Sequence, residues 1–303
     1  MAAQTQSTNT SKVNFDSSIT TAWQGTDIAQ RYKAAENATR PFAKIMVELS
    51  DKLTTIKTTP TRILDLACGT GAVEAEIYAA IKKEQWDGLN ILAGDISEPM
   101  LDYLAKRGES EGWSGLETRV MDAIKLDLSQ EEDFAHAFVS FAMFVLPSEV
   151  TGKLAQKVLP GGTVAISTWA SLPWFDLLAR TYAAMPDGPE LPERQQLWAS
   201  FTNSLPWNEA SFVRQQLEEA GLSKVEVVQR KVTVECGTPD VSMTTMGFVI
   251  GMLSKRWPEE KREGWVKDVM KTMRDILVED VGGVDGCVLM DFEGIVGVGL
   301  KDE

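Results

Sequence analysis

The run Ile63-Leu64-Asp65-Leu66-Ala67-Cys68-Gly69-Thr70-Gly71 constrains this chain more than any other segment, because a short apolar stretch there breaks into a turn carrying two glycines. The polar residues Lys57-Thr58-Thr59 and Pro60 precede it as an entering loop, and Ala72 through Ile81 follow with helical periodicity. The spacing predicts a buried strand, a tight turn and a helix N-terminus. Gly69 and Gly71 let backbone approach a ligand with no side chain between them.

The residue three places after the second glycine narrows the ligand. A dinucleotide fingerprint wants Gly or Ala there, where the helix packs closely and a pyrophosphate meets backbone amides. Here that residue is Glu74, whose carboxylate competes with a pyrophosphate for the positive end of the helix. No lysine followed by Ser or Thr completes a phosphate loop. The turn suits an adenosine-bearing ligand without phosphates.

Asp65-Leu66-Ala67-Cys68-Gly69-Thr70-Gly71 resembles the first motif of class I S-adenosylmethionine-dependent methyltransferases. The resemblance implies that Asp65 and Gly69 hold the methionine part of the cofactor, with Ala67 and Gly71 shaping the turn. A loop-ordering carboxylate is the alternative reading of Asp65. Leu89 to Ile96 reads as a second strand ending in Asp95, with Ser97 as helix cap and Pro99 in the first helical turn. A carboxylate accepts hydrogen bonds from two adjacent ribose hydroxyls; the resemblance gives this role to Asp95 and places Ile96 beside adenine. Leu116 to Ala123 reads as a third strand. There the resemblance assigns Asp122 to the exocyclic amine of adenine and the neighbouring Ala123 backbone to a ring nitrogen; a surface loop acid is the alternative. Asp65, Asp95 and Asp122 then share one sheet edge, where ligands sit in open α/β folds.

The fourth strand, Phe134 to Phe144, carries Ala135 where many relatives carry Asp. His136, the single histidine of the chain, lies near the strand's start and therefore away from the ligand edge, so it reads as structural. Ser140, at the favourable end, is expected to border the cofactor, and Ser140-Phe141-Ala142-Met143 to line the gap between methyl donor and acceptor. The asparagine-proline arrangement of amino-group methylation in nucleic acids or proteins is absent from that segment, which argues for a small acceptor. Leu159-Pro160-Gly161-Gly162 reads as a turn before a fifth strand, Thr163 to Trp169, and Cys287 to Leu300 as the closing strand. The fold implied is a doubly wound, mostly parallel seven-stranded α/β sheet with helices on both faces and a small helical, aromatic cap. In this fold the last strand enters antiparallel between two others.

At 303 residues, with 44% hydrophobic side chains, the chain can bury one substantial core. The expected organisation is a flexible N-terminal tail at 1–20, a helical lid at 21–58 and the catalytic domain at 59–303, with an acceptor-binding cap inserted at about 171–208. Tyr32 is the expected lid residue. Prolines and aromatics crowd the cap, a texture that suits rigid pocket walls; Trp169 and Trp174 are the leading acceptor candidates, with Phe144 and Trp207 behind them. A net charge of −14, from 30 basic and 44 acidic side chains, repels a nucleic-acid backbone. No membrane span or secretion signal is read, and three widely separated cysteines form neither a disulfide framework nor a metal cluster, so a cytoplasmic setting is expected. The oligomeric state has no signature in the sequence.

The expected activity is transfer of the sulfonium methyl of S-adenosylmethionine to an N, S or O nucleophile of a small hydrophobic or aromatic metabolite. The Ser167-Thr168-Trp169 ending and the aromatic run after the fourth strand resemble fungal secondary-metabolite methyltransferases. The rivals are a methyltransferase-like protein catalysing a non-methylating cyclisation or rearrangement, and a nicotinamide-dependent oxidoreductase, against which Glu74 stands. No general base is assigned.

Overall fold

The structure, a computed structural model, describes Gly25 and residues 28–57, 61–202 and 205–302, without the side chains of residues 30–35, 200 and 201. The expected tail at 1–20 and the Tyr32 side chain lie outside the described residues. Helix α1 (Ile28–Leu53) leads into β1 (Thr61–Leu66), α2 (Ala72–Ala80), β2 (Leu89–Asp95), α3 (Glu98–Glu111) and β3 (Leu116–Val120). Then come β4 (Phe134–Ser140), α4 (Glu149–Lys157), β5 (Val158–Trp169), α5 (Phe175–Ala183), α6 (Arg194–Phe201) and α7 (Ala210–Glu219). The chain closes with β6 (Leu222–Glu235), α8 (Pro239–Ser254), α9 (Glu259–Asp280) and β7 (Leu289–Lys301). Among the described residues no helix is long and apolar enough to cross a membrane.

One seven-stranded sheet runs in the order β3-β2-β1-β4-β5-β7-β6. The first five strands are mutually parallel, and β7 lies antiparallel between β5 and β6, as expected for the closing strand. The chain reverses its winding direction between β1 and β4, which leaves a crevice at the carboxyl ends of those strands. The glycine turn after β1 opens onto that crevice.

Alternation along each strand sends side chains to two cores. Leu64 and Leu66 point to the face covered by α4 and α7, where Leu154, Val213, Leu217 and Trp207 are buried. Ile63 and Ile91 point to the other face, packed by Val73 and Ile77 of α2 and by Phe42, Ala43, Met46 and Val47 of α1. Within the segment 21–58 read as a lid, the C-terminal half of α1 is thus part of the sheet's core. A third core joins α5 and α6 of the segment 171–208 to α8 and α9 through Leu178, Leu197, Ile250, Val269 and Met273. The segment expected to form a cap thus shares its core with two helices of the connection between β6 and β7.

Two local expectations resolve differently. Leu159-Pro160-Gly161-Gly162 falls inside β5 as an extended bulge: Phe134 pairs with Val158, but His136 pairs with Thr163. The Gly161 φ of 80° absorbs the bend that a turn was expected to make. The stretches Val225–Gln229 and Val232–Glu235, each strand-like in sequence, fuse into the single strand β6, with a register shift between Ser223 and Glu226.

Candidate active site

The turn after β1 is left-handed at three positions out of five, with φ of 60° at Ala67, 56° at Gly69 and 88° at Gly71. Left-handed backbone is free for glycine and costs Ala67 about 1 kcal/mol. The surroundings hold it there. Cys68 N donates to Gly94 O on β2, Gly71 N donates to Cys68 O, and Gly69 N donates to Asp95 Oδ2 at 2.9 Å. Gly71 caps α2 with backbone alone; a Cβ on it would sit 2.4 Å from Leu104 Cδ1, so α3 packs directly on the turn.

Asp95 ends β2 and is 9% exposed. Its Oδ1 accepts from Ser97 N at 2.9 Å while Oδ2 holds Gly69 N, and burial outweighs these bonds to push its carboxyl above the usual range. Each oxygen keeps a further lone pair, so the group can still accept a vicinal diol. Ile96, half-buried, follows it. Ser97 caps α3, accepting from Met100 N as its place before Pro99 predicts.

Asp65 and Glu74 occupy a different layer. Both are completely buried, and their carboxyl oxygens find no other side chain outside the pair to bond with. The two side chains face each other as a carboxyl pair. Burial, the Glu74 charge and the Asp95 charge raise Asp65 well above its ordinary range, and burial raises Glu74 to about 7. The Asp65 carboxyl is thus sealed from solvent. Glu74, read as a competitor for phosphate at the helix end, points inward instead.

Arg107 of α3 reaches the turn from behind together with Glu36 of α1. Its Nη1 donates to Thr70 O at 2.8 Å and to both Glu36 oxygens at 3.0 Å, and its guanidinium lies 5.2 Å from the Trp113 ring centroid. The carboxyls of Asp65, Glu74, Asp95 and Glu36 against Arg107 make a poor seat for a pyrophosphate. Asp95, with its remaining lone pairs, suits a ribose diol, a group that S-adenosylmethionine carries.

Asp122 caps the short helical turn Ala123–Lys125: its Oδ1 accepts from Ile124 N at 3.0 Å, and Lys125 pairs with its other oxygen at 3.4 Å. It remains partly exposed beside buried Ala123, and Met121 covers Gly94 between Asp122 and β2. Ser140, at the end of β4, lies with its Oγ 3.2 Å from Ser167 Oγ on β5. The next residue, Phe141, is left-handed at φ 51°; its N–H is held by the Ser167 carbonyl and hydroxyl, both at 3.1 Å. A bulky residue in that region stores strain.

Phe141 stacks on Trp169 at 3.8 Å between centroids, Phe42 meets both rings edge-on, and Phe292 of β7 leans on Trp169 at 5.5 Å. This wall stands at the carboxyl ends of β4 and β5. Half-buried Phe144 sits in the short turn Met143–Val145 next to it. Trp174, also half-buried, packs on the cap core at the start of α5. Trp207 is displaced from the expected pocket: it is fully buried beneath the sheet, edge-on to Phe212 of α7, a core anchor that no acceptor reaches.

His136 is buried at the opposite end of β4, bonded through Nδ1 to Thr163 Oγ1 at 2.8 Å, and burial lowers its pKa to about 4. Sequence reasoning missed Glu36, Arg107 and Phe292, which act across long sequence separations. The apolar periodicity of Phe42, Ala43, Met46 and Val47 was the available signal that α1 docks on the sheet.

Residues 63–162 match a family described as a methyltransferase domain. The chain is 28% identical to an acetylaranotin bis-thiomethyltransferase of Aspergillus terreus over 86% of this chain and 89% of that protein. It is 28% identical to the methyltransferase tpcH of Aspergillus fumigatus over 80% of this chain and 85% of the relative, and 25% identical to the methyltransferase ktnA of Aspergillus niger over 91% and 95%. Among solved structures, the YcgJ protein of Bacillus subtilis superposes with a TM-score of 0.50 at 11% identity, covering 86% of this chain and 98% of that one, a likeness of fold.

Proposed function

We propose that this chain, a class I S-adenosylmethionine-dependent methyltransferase, methylates an N, S or O nucleophile of a small hydrophobic or aromatic metabolite of the fungal secondary kind. The observation that carries the reading is the clamp of Asp95 on Gly69 N–H at 2.9 Å, beside an acid-rich turn and next to the Phe141–Trp169 wall. In it Asp95 accepts the ribose diol, Ile96 and Met121 flank the adenine, Asp122 addresses its amine, and the Gly69–Gly71 backbone takes the methionine end. S-adenosylmethionine supplies an electrophilic methyl group. The protein's own contribution is then alignment and exclusion of water: Ser140 and Phe141 separate the two subsites, and Trp169 gives a flat acceptor a face to lie on.

A proton need not be taken by the protein where the acceptor is a thiol, part of which is already thiolate near neutral pH. His136 is remote and resists protonation, which favours such an acceptor, and the thiomethylating relative from Aspergillus terreus supports the same choice. A screen of small dithiols, thiols, phenols and amines with S-adenosylmethionine, read by mass, tests the reading. Gain of one methyl on a thiol is expected; intact cofactor with an isomerised substrate would reject transfer.

A further inference from the structure

The turn is gripped from both sides. In front, Asp95 holds Gly69 N–H. Behind, Thr70, 1% exposed, gives its hydroxyl hydrogen to Glu36 Oε2 at 2.8 Å, while Arg107 donates to the Thr70 carbonyl at 2.8 Å and to Glu36 at 3.0 Å. The Thr70–Gly71 peptide plane is thereby fixed by a residue of α1 and a residue of α3.

Glu36 sits about one and two-thirds turns before Phe42 on the same helix. Phe42 is fully buried, edge-on to Phe141 at 5.4 Å and to Trp169 at 5.9 Å, and a Cβ on Gly294 would meet its ring at 2.6 Å, so its place is fixed. At its N-terminal end the same helix puts Ile28 and Ala29 against Met100 of α3 and Phe248 of the cap. One helix, with Pro41 inside it between Glu36 and Phe42, thus touches the donor turn, the aromatic wall and the helices around Phe248.

We propose that Glu36 is a positioning residue that couples occupancy of the glycine turn, through α1 and Phe42, to the placement of the Phe141–Trp169 wall. The inference rests on the functional reading above, because it takes the turn as the donor seat. A ligand that orders the turn fixes Thr70, Thr70 holds Glu36, and Glu36 sets the axial position of α1. Occupancy of the donor seat is then felt at the acceptor wall through α1.

The test is amide hydrogen exchange on the full chain with and without S-adenosylhomocysteine, alongside calorimetric titration of the same ligand. In the wild-type protein the ligand should slow exchange about tenfold both in the turn and across residues 36–47 of α1. In Glu36→Gln, and in Thr70→Val as an independent variant, the turn should still slow while residues 36–47 do not. A purely structural role would speed exchange in free and bound protein alike and leave the ligand-induced difference intact. That result overturns the coupling, as does wild-type protein that binds the ligand with slowing confined to the turn. Wild-type protein that fails to bind at all overturns the functional reading itself, a distinct outcome seen in the titration.

Discussion

Replacing Glu74 by Gln should stabilise the protein in mild alkali and leave it nearly unchanged in mild acid. Glu74 and Asp65 are fully buried with no other side chain bonded to the pair, and burial holds the Glu74 carboxyl at about 7 against an ordinary 4.5. Between those values the folded protein binds more protons than the unfolded chain, so this group's stabilisation is complete below 4.5 and is lost as pH rises through 7. At about 1.4 kcal/mol per pH unit the gap is worth about 3 kcal/mol. Gln is isosteric, never ionises, and offers an N–H to Asp65. Urea unfolding of both proteins at pH 5 and pH 8.5 measures the effect, read as a midpoint shift at constant slope. The variant should gain about 3 kcal/mol over wild type at pH 8.5 relative to pH 5. Parallel pH profiles, or a variant less stable at pH 8.5, would refute the carboxyl pair.

His136 should act in the opposite sense: its pKa is lowered to about 4, so its contribution is present above 6.5 and lost as pH falls through 4, and His136→Gln should remove that acid sensitivity in the same unfolding assay. Gly71→Ala should lower stability by about 2–4 kcal/mol in thermal unfolding, from a left-handed φ of 88° together with a Cβ 2.4 Å from Leu104. Ser167→Ala removes the hydroxyl that holds Phe141 N–H and faces Ser140; steady-state kinetics with the acceptor from the screen should show its KM rising several-fold, with donor affinity unchanged.

The parts of this protein that were legible in sequence are those whose cause is local. Gly69 and Gly71 announce a turn because left-handed backbone favours them, and Ser97 and Pro99 announce a helix start for equally local reasons. The antiparallel place of the last strand followed from the resemblance, while the full sheet order came from the structure. Burial was harder. Glu74 was read as a carboxylate at the helix N-terminus that competes with a pyrophosphate, yet it is fully buried and faces Asp65. The bonds among Glu36, Thr70 and Arg107 span 34 to 71 residues and leave no local trace. The cap was read from the prolines and aromatics near 171–208, but α8 and α9, which complete its core, carry ordinary amphipathic patterns that fit many partners. Trp207 shared the aromatic texture of the cap and belongs to the sheet core, since texture does not say which face a ring will meet.

The most direct test of the cofactor seat is calorimetric titration of S-adenosylhomocysteine into wild-type protein and into Asp95→Ala. The seat predicts binding to the wild type and a loss of about 2–3 kcal/mol in the variant, the scale of hydrogen bonds to a buried charged group, with the variant's fold confirmed by an unchanged circular dichroism spectrum. Equal affinity in the two folded proteins would contradict the seat built on Asp95 and the glycine turn.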